Sequence, residues 1–212
     1  MRVEAAGSGR VLDFDLENRP LSYWVPDEPT AQITAIAWMW VGEHDSLESA
    51  LLGPLGDRDI LQSFVDRYNE ADIVTGHYIR RHDLPTINAM LYEQDMPLLS
   101  PKLVSDTKLD MFKKKSLPAT QEFLLELLDP QCEAGFPLEK FHMTQGKWRE
   151  ANRLTPEGLE LTKRRVMSDV HAHSHMRHAM LERGWLRGPS VWNPGGGFSE
   201  MSEGRIAVGE AK

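Results

Sequence analysis

The feature that most constrains this 212-residue chain is the segment Arg10-Val-Leu-Asp-Phe-Asp-Leu-Glu17, which alternates strictly between apolar and acidic residues. Period-two alternation marks a β-strand, because successive side chains leave opposite faces. Leu12, Phe14 and Leu16 therefore face a core, while Asp13, Asp15 and Glu17 line up on the other side. Residues two apart on a strand stand roughly 6.5–7 Å apart, close enough for Asp15 and Glu17 to share a cation. Burying such a row is costly unless positive charge stands among the carboxylates. Hard divalent ions such as Mg²⁺ and Mn²⁺ favour oxygen ligands of this kind. Taken alone, the segment reads more simply as a solvent-facing acidic strand edge.

The rest of the chain alternates strand and helix patterns. Gln32 to Gly42 reads as a largely buried strand, with Trp38 and Trp40 alternating with Met39. A short third strand is expected within residues 42–56. Asp59–Asn69 has helical apolar spacing, Ala71–Gly76 is a short strand, and Leu84–Tyr92 is a helix with Pro85 in its first turn. Leu103–Asp110 reads as strand and turn, and Gln121–Leu128 as a short helix. Thr155-Pro156-Glu157 caps and opens a long helix to Arg183. Strands early, with helices between and after, predict an α/β fold: a mixed sheet flanked by helices. The segment from Gly188 to Lys212 holds six glycines and two prolines. It is expected to be a mobile tail behind a domain spanning residues 1–187.

Composition narrows the function classes. A single cysteine, Cys132, excludes a disulfide scaffold. The longest apolar run, Ala35 to Val41, is seven residues, against the ~20 of a spanning helix. The N-terminal residues lack the apolar core of a secretory signal, so a cytoplasmic protein without membrane association is expected. A net charge of −8, from 24 Lys and Arg against 32 Asp and Glu, argues against a nonspecific nucleic-acid coat. It suits an enzyme that holds cations in a carboxylate cluster.

Two further acids stand out. Asp83 follows the strand Ala71–Gly76 and opens a helix, where its simplest role is an N-cap. Asp169 lies inside the long helix, in Arg164-Arg-Val-Met-Ser-Asp-Val170, where the plain reading is an i,i+4 ion pair with Arg165. In this order, Phe14–Pro20, Ala71–Leu91 and Val166–Val170 resemble the three motifs of the DEDD superfamily of DnaQ-like 3′→5′ exonucleases. The resemblance runs over about residues 10–183 and is nearest to the stand-alone phage type.

The resemblance implies a ribonuclease H-like fold and two Mg²⁺ or Mn²⁺ ions held by Asp15, Glu17, Asp83 and Asp169. In that scheme Asp15 bridges both ions, Glu17 and Asp169 favour the one on the nucleophile side, and Asp83 acts partly through water. Two such ions, ~3.5–4 Å apart, activate water and steady the leaving oxygen. The implied substrate is single-stranded DNA or a DNA 3′ end, in replication or proofreading beside a separate DNA polymerase. For a phage protein the setting is the host-cell cytoplasm.

The chain departs from the family pattern at telling positions. The general base, a tyrosine four residues or a histidine five residues before the last aspartate, is replaced by Arg165 and Arg164, neither of which accepts a proton. Tyr78, His82 and Asn18 stand where asparagine, phenylalanine and threonine are usual. His173, about 40° around the helix from Asp169, is the first candidate for a substitute base, and His142 the second. His171, His175 and His178 fall on the opposite face and have no further spaced ligand for zinc. Arg19, Tyr23, Trp24 and Tyr78 are candidate nucleic-acid contacts, the aromatics by base stacking, and Lys113–Lys115 is a basic run. Two other readings stay open: a catalytically weakened module that binds DNA ends or a replisome, and an oligoribonuclease, since 2′-OH discrimination lies in pocket detail.

Overall fold

The computed structural model describes residues 9–20, 31–112, 118–128 and 141–194. Tyr23, Trp24, Lys113–Lys115 and residues 195–212 lie outside the described residues. The described strands are β1 (Val11–Pro20), β2 (Ala31–Trp40), β3 (Glu48–Leu51), β4 (Ile73–Gly76), β5 (Lys102–Asp106) and β6 (Ser190–Trp192). The helices are α1 (Asp57–Glu70), α2 (Asp83–Glu93), α3 (Gln121–Leu128), α4 (Gln145–Ala151) and α5 (Pro156–Glu182). A 3-10 turn, His44–Ser46, follows β2.

The strands form one mixed sheet in the order β3-β2-β1-β4-β5-β6. β1, β4 and β5 run parallel, while β2, β3 and β6 pair antiparallel with their neighbours. This is the mixed sheet flanked by helices expected from the sequence. The alternation in β1 is realised on both faces. Leu12, Phe14 and Leu16 join Ile60, Leu61 and Phe64 of α1 and Ile87 and Leu91 of α2 in the main core. Trp38 and Trp40 are buried in that same core, as their alternation with Met39 implies.

The opposite face carries α5. Ala35, Ala37 and Met39 of β2 pack against Val166 and Val170, and the two alanines let the helix lie close to the sheet. The far half of α5 packs Met176, Ala179 and Met180 onto Leu124 and Leu128 of α3. Thr155 caps α5 by accepting a hydrogen bond from the Gly158 N–H, with Pro156 in the first turn.

Three features differ from the sequence reading. β1 runs beyond the alternating segment to Pro20, through a shift of register between Glu17 and Asn18. Proline is tolerated there because the last residue of a strand need not donate to the ladder. Helix α4 was not anticipated; its seven residues are too few to show a periodicity. Ser190–Trp192, within the expected tail, pairs with Lys102–Val104 as the edge of the sheet, so the fold reaches past the boundary at 187. Three residues between glycine and proline give no alternation to read.

Gly76 ends β4 against the middle of β1. A Cβ there would stand 2.7 Å from the Phe14 carbonyl oxygen and would also collide with Ile79. Gly76→Ala is expected to destabilise the fold by about 1–3 kcal/mol, the usual cost of overpacking. At roughly 2–4 °C per kcal/mol for a chain of this size, thermal unfolding followed by circular dichroism reads the loss directly.

Candidate metal centre

The acidic face of β1 divides into two parts with different partners. Asp13 is completely buried under α5, where its carboxylate meets His173 Nδ1 at 2.7 and 2.8 Å. His173 Nε2 bonds the Thr107 hydroxyl at 2.9 Å, and that hydroxyl lies 2.9 Å from His77 Nδ1. This polar chain ties β1, α5 and the turn after β5 together. His173 is 2% exposed and engaged at both ring nitrogens, so it offers no free lone pair to a substrate water. The expectation that His173 replaces the base is not met by its geometry: the helical angle was right, but the ring stops at Asp13, one strand step short of the other acids.

Asp15 and Glu17 continue along the strand and meet Asp169 of α5. One carboxylate oxygen from each lies within 4.8 Å of the others. Asp83, buried at the start of α2, lies near the same stretch of β1. The pairing of β1 with β4 ends at Asp13 and Thr75. Beyond it, the backbone of Leu16, between Asp15 and Glu17, helps hold the Asp83 carboxyl down against the effect of burial. Of the four acids expected to act together, Asp15, Glu17 and Asp169 meet within 4.8 Å, and Asp83, at the start of α2, stands outside that group. A register irregularity just after Glu17 re-aims the strand there, a common device beside functional sites.

Asp83 is strained electrostatically. It is buried, and its Oδ1 has no hydrogen-bond partner. Burial pushes its carboxyl above the ordinary range, against the opposing pull of His82. His82 Nδ1 lies 3.5 Å from Asp83 and its side chain is half exposed. The bond to Asp83 raises its affinity for a proton, and Glu17 adds to that. His82 was noted in the sequence only as a replacement for phenylalanine, yet it is the imidazole that faces these acids. No periodicity reveals this, because His82 lies in the loop before α2.

A fixed cation already stands among the carboxylates. Arg165 places Nε 3.3 Å from Glu17 and a terminal nitrogen 3.0 Å from Asp169, and its other terminal nitrogen donates to the Phe141 carbonyl at 2.9 Å. The i,i+4 pair read from the sequence exists, but Glu17 turns it into a three-charge cluster shielded from solvent. Arg164 leaves the cluster and stacks over the Phe141 ring at 4.3 Å. His142 is exposed.

The candidate nucleic-acid residues divide. Arg19 is committed internally, donating to Gln32 at 2.8 Å and to the Asn152 carbonyl at 2.7 Å, which makes it a strut between β1 and the end of α4. Tyr78 has φ +72° and a partly exposed ring, with Lys108 Nζ 4.0 Å from the ring centroid. Its left-handed backbone is held by Asp106, whose carboxylate accepts from the N–H groups of Tyr78 and Arg80 at 3.0 Å. Such strain persists only where neighbours enforce it.

The donor set fits hard divalent ions: all oxygen, with the carboxylates of Asp15, Glu17 and Asp169 converging and a buried Asp83 oxygen without a hydrogen-bond partner. No helix among the described residues is long and apolar enough to cross a membrane.

No family model matches the chain, and no curated protein matches it in sequence. Solved structures do. The chain is similar to a family B DNA polymerase from the hyperthermophilic archaeon Pyrobaculum calidifontis, with a TM-score of 0.62 at 18% identity. The match covers 85% of this chain and 25% of the polymerase chain. The likeness is one of fold, and this chain spans a quarter of that polymerase's length.

Two outcomes are expected for the metal-free protein. Asp83→Asn removes a buried charge while keeping an acceptor oxygen, so the melting temperature should rise by about 2–4 °C, equivalent to roughly 1 kcal/mol. Arg165→Ala leaves Glu17 and Asp169 facing each other without a cation and should cost about 3 kcal/mol. Adding Mn²⁺ should recover much of that loss, because an ion bound only by the folded state stabilises it by mass action. A melt of each variant with and without Mn²⁺ checks both.

Proposed function

We propose that this chain is a divalent-metal-dependent 3′→5′ exonuclease acting on single-stranded DNA, working in replication or proofreading beside a separate polymerase. The observation that carries the reading is the meeting of Asp15, Glu17 and Asp169 within 4.8 Å, with Asp83 near the same stretch of β1. Likeness in fold to a segment of a DNA polymerase supports a DNA-related role.

In this reading Asp15, Glu17, Asp83 and Asp169 hold the ions. Bound divalent ions supply an activated water and positive charge at the departing 3′ oxygen. The chain's own residues do the rest. Arg165 must release Glu17 and Asp169 as the ions enter. Its guanidinium stays anchored by the Phe141 carbonyl and becomes available to a phosphate, which it matches in a planar, bidentate way. His82, half exposed beside Asp83, is the side chain in reach of a proton at the rim. Tyr78, rigidly presented one turn before Asp83, offers a stacking face to a terminal base.

A second reading is favoured by one observation, the salt bridges of Arg165 to Glu17 and Asp169. If the guanidinium keeps its place, it competes with metal for Glu17 and Asp169, and the chain is a binding module for DNA ends.

Digestion of a 5′-labelled single-stranded oligonucleotide separates the two. The expected result with Mg²⁺ or Mn²⁺ is a ladder shortening from the 3′ end, reduced at least ~100-fold by Asp15→Ala, as for loss of a principal electrostatic catalyst. End binding that needs no metal, without nucleotide release, supports the binding module instead. Equal digestion by wild type and Asp15→Ala overturns the assigned site.

A further inference from the structure

A second group of metal-ligating side chains lies away from the carboxylates. His171 and His175, one turn apart on α5, point away from Asp169, and the 3-10 turn after β2 brings His44 against them. One ring nitrogen from each of the three lies within 4.8 Å of the other two. The His171 and His175 centroids are 4.8 Å apart with rings nearly perpendicular, and His44 lies 5.3 Å from His175 with rings parallel. His178, the other histidine of this face, turns instead to Glu182 at 3.4 Å.

We propose that His44, His171 and His175 form a binding site for a late first-row divalent ion, Zn²⁺ above all, distinct in place and chemistry from the carboxylate centre. Three converging imidazoles are a common donor set for zinc, with a fourth position left to water. Nitrogen ligands favour Zn²⁺, Cu²⁺ and Ni²⁺ over Mg²⁺ and Mn²⁺, which prefer oxygen. Gathering the three imidazoles as cations sets like charges against one another, whereas a metal takes them neutral. In agreement, burial and the neighbouring imidazoles hold His175 down to about 4 and lower His171. The ion would clamp the connection between β2 and β3 onto α5, the helix that also carries Asp169. The site does not depend on the proposed nuclease activity.

The test uses the full chain in excess Mg²⁺, which occupies oxygen sites, and titrates Co²⁺ as the probe, followed by visible absorption and by the melting temperature. One Co²⁺ per chain with tetrahedral-type absorption, displaced by Zn²⁺, is expected. His44 is exposed in a short turn, so His44→Ala should fold and melt like wild type without transition metal. It should nevertheless bind Co²⁺ more than ~100-fold more weakly, beyond the usual effect of losing only a supporting contact. His175→Gln should behave likewise in Co²⁺ affinity, and Asp15→Ala should leave it unchanged. Absence of stoichiometric binding overturns the proposal. So does Co²⁺ binding unaffected by His44→Ala, or binding lost in Asp15→Ala.

Discussion

Carboxylates crowded on one side of a strand are the constraint around which this molecule is organised. Asp13, Asp15 and Glu17 leave β1 toward a helix rather than toward water, and each would be costly there without a partner. The two ends of the row are met differently. Asp13, at the covered end, has His173. Glu17, nearer the open end, has Arg165, which also neutralises Asp169. The resulting gradient runs from a closed polar lock to an acid cluster that holds one arginine of α5, Arg165.

Helix α5 is consequently more than a cover for the sheet. Over about two turns it presents Arg165 and Asp169 to the acids, Val166 and Val170 to the alanines of β2, and His173 to Asp13. Close approach through small residues fixes its height above the sheet, and the His173–Asp13 lock fixes its position along β1. A cluster assembled from separate elements holds its geometry only if such neighbours lock it in place. Asp83 stands beside the arrangement at a cost in stability, since its orphaned oxygen lies in a buried site. Locally unfavourable polar groups of this kind concentrate where a protein binds or reacts.

Much of the fold was legible in advance because its elements carry strong periodicity. The alternation of β1, the apolar spacing of α1 and the capped opening of α5 each state their own structure. The acids Asp15, Glu17, Asp83 and Asp169 were selected by the order of three motifs that resemble those of an exonuclease superfamily, since each alone has a plain structural reading. The illegible parts are those without a local pattern. Helix α4 is short, β6 is an edge strand of three residues, and His82 lies in irregular chain before α2. His44 joins the pair on α5 across more than half of the sequence, so no spacing rule could have supplied the third ligand. The helical angle rightly put His173 on the Asp169 face, but angle says nothing of height, and height decided that it meets Asp13.

Sequence alone, then, determined which faces are apolar, where the acids stand on them and which positions lack a proton acceptor. These are properties of periodicity and side-chain chemistry, and both are local. Tertiary structure decided which acid meets which cation, that Arg165 enters the cluster while Arg164 leaves for Phe141, and that three histidines converge behind it. Those outcomes depend on how far a helix slides and how closely it approaches a sheet. Packing against residues distant in the chain sets both.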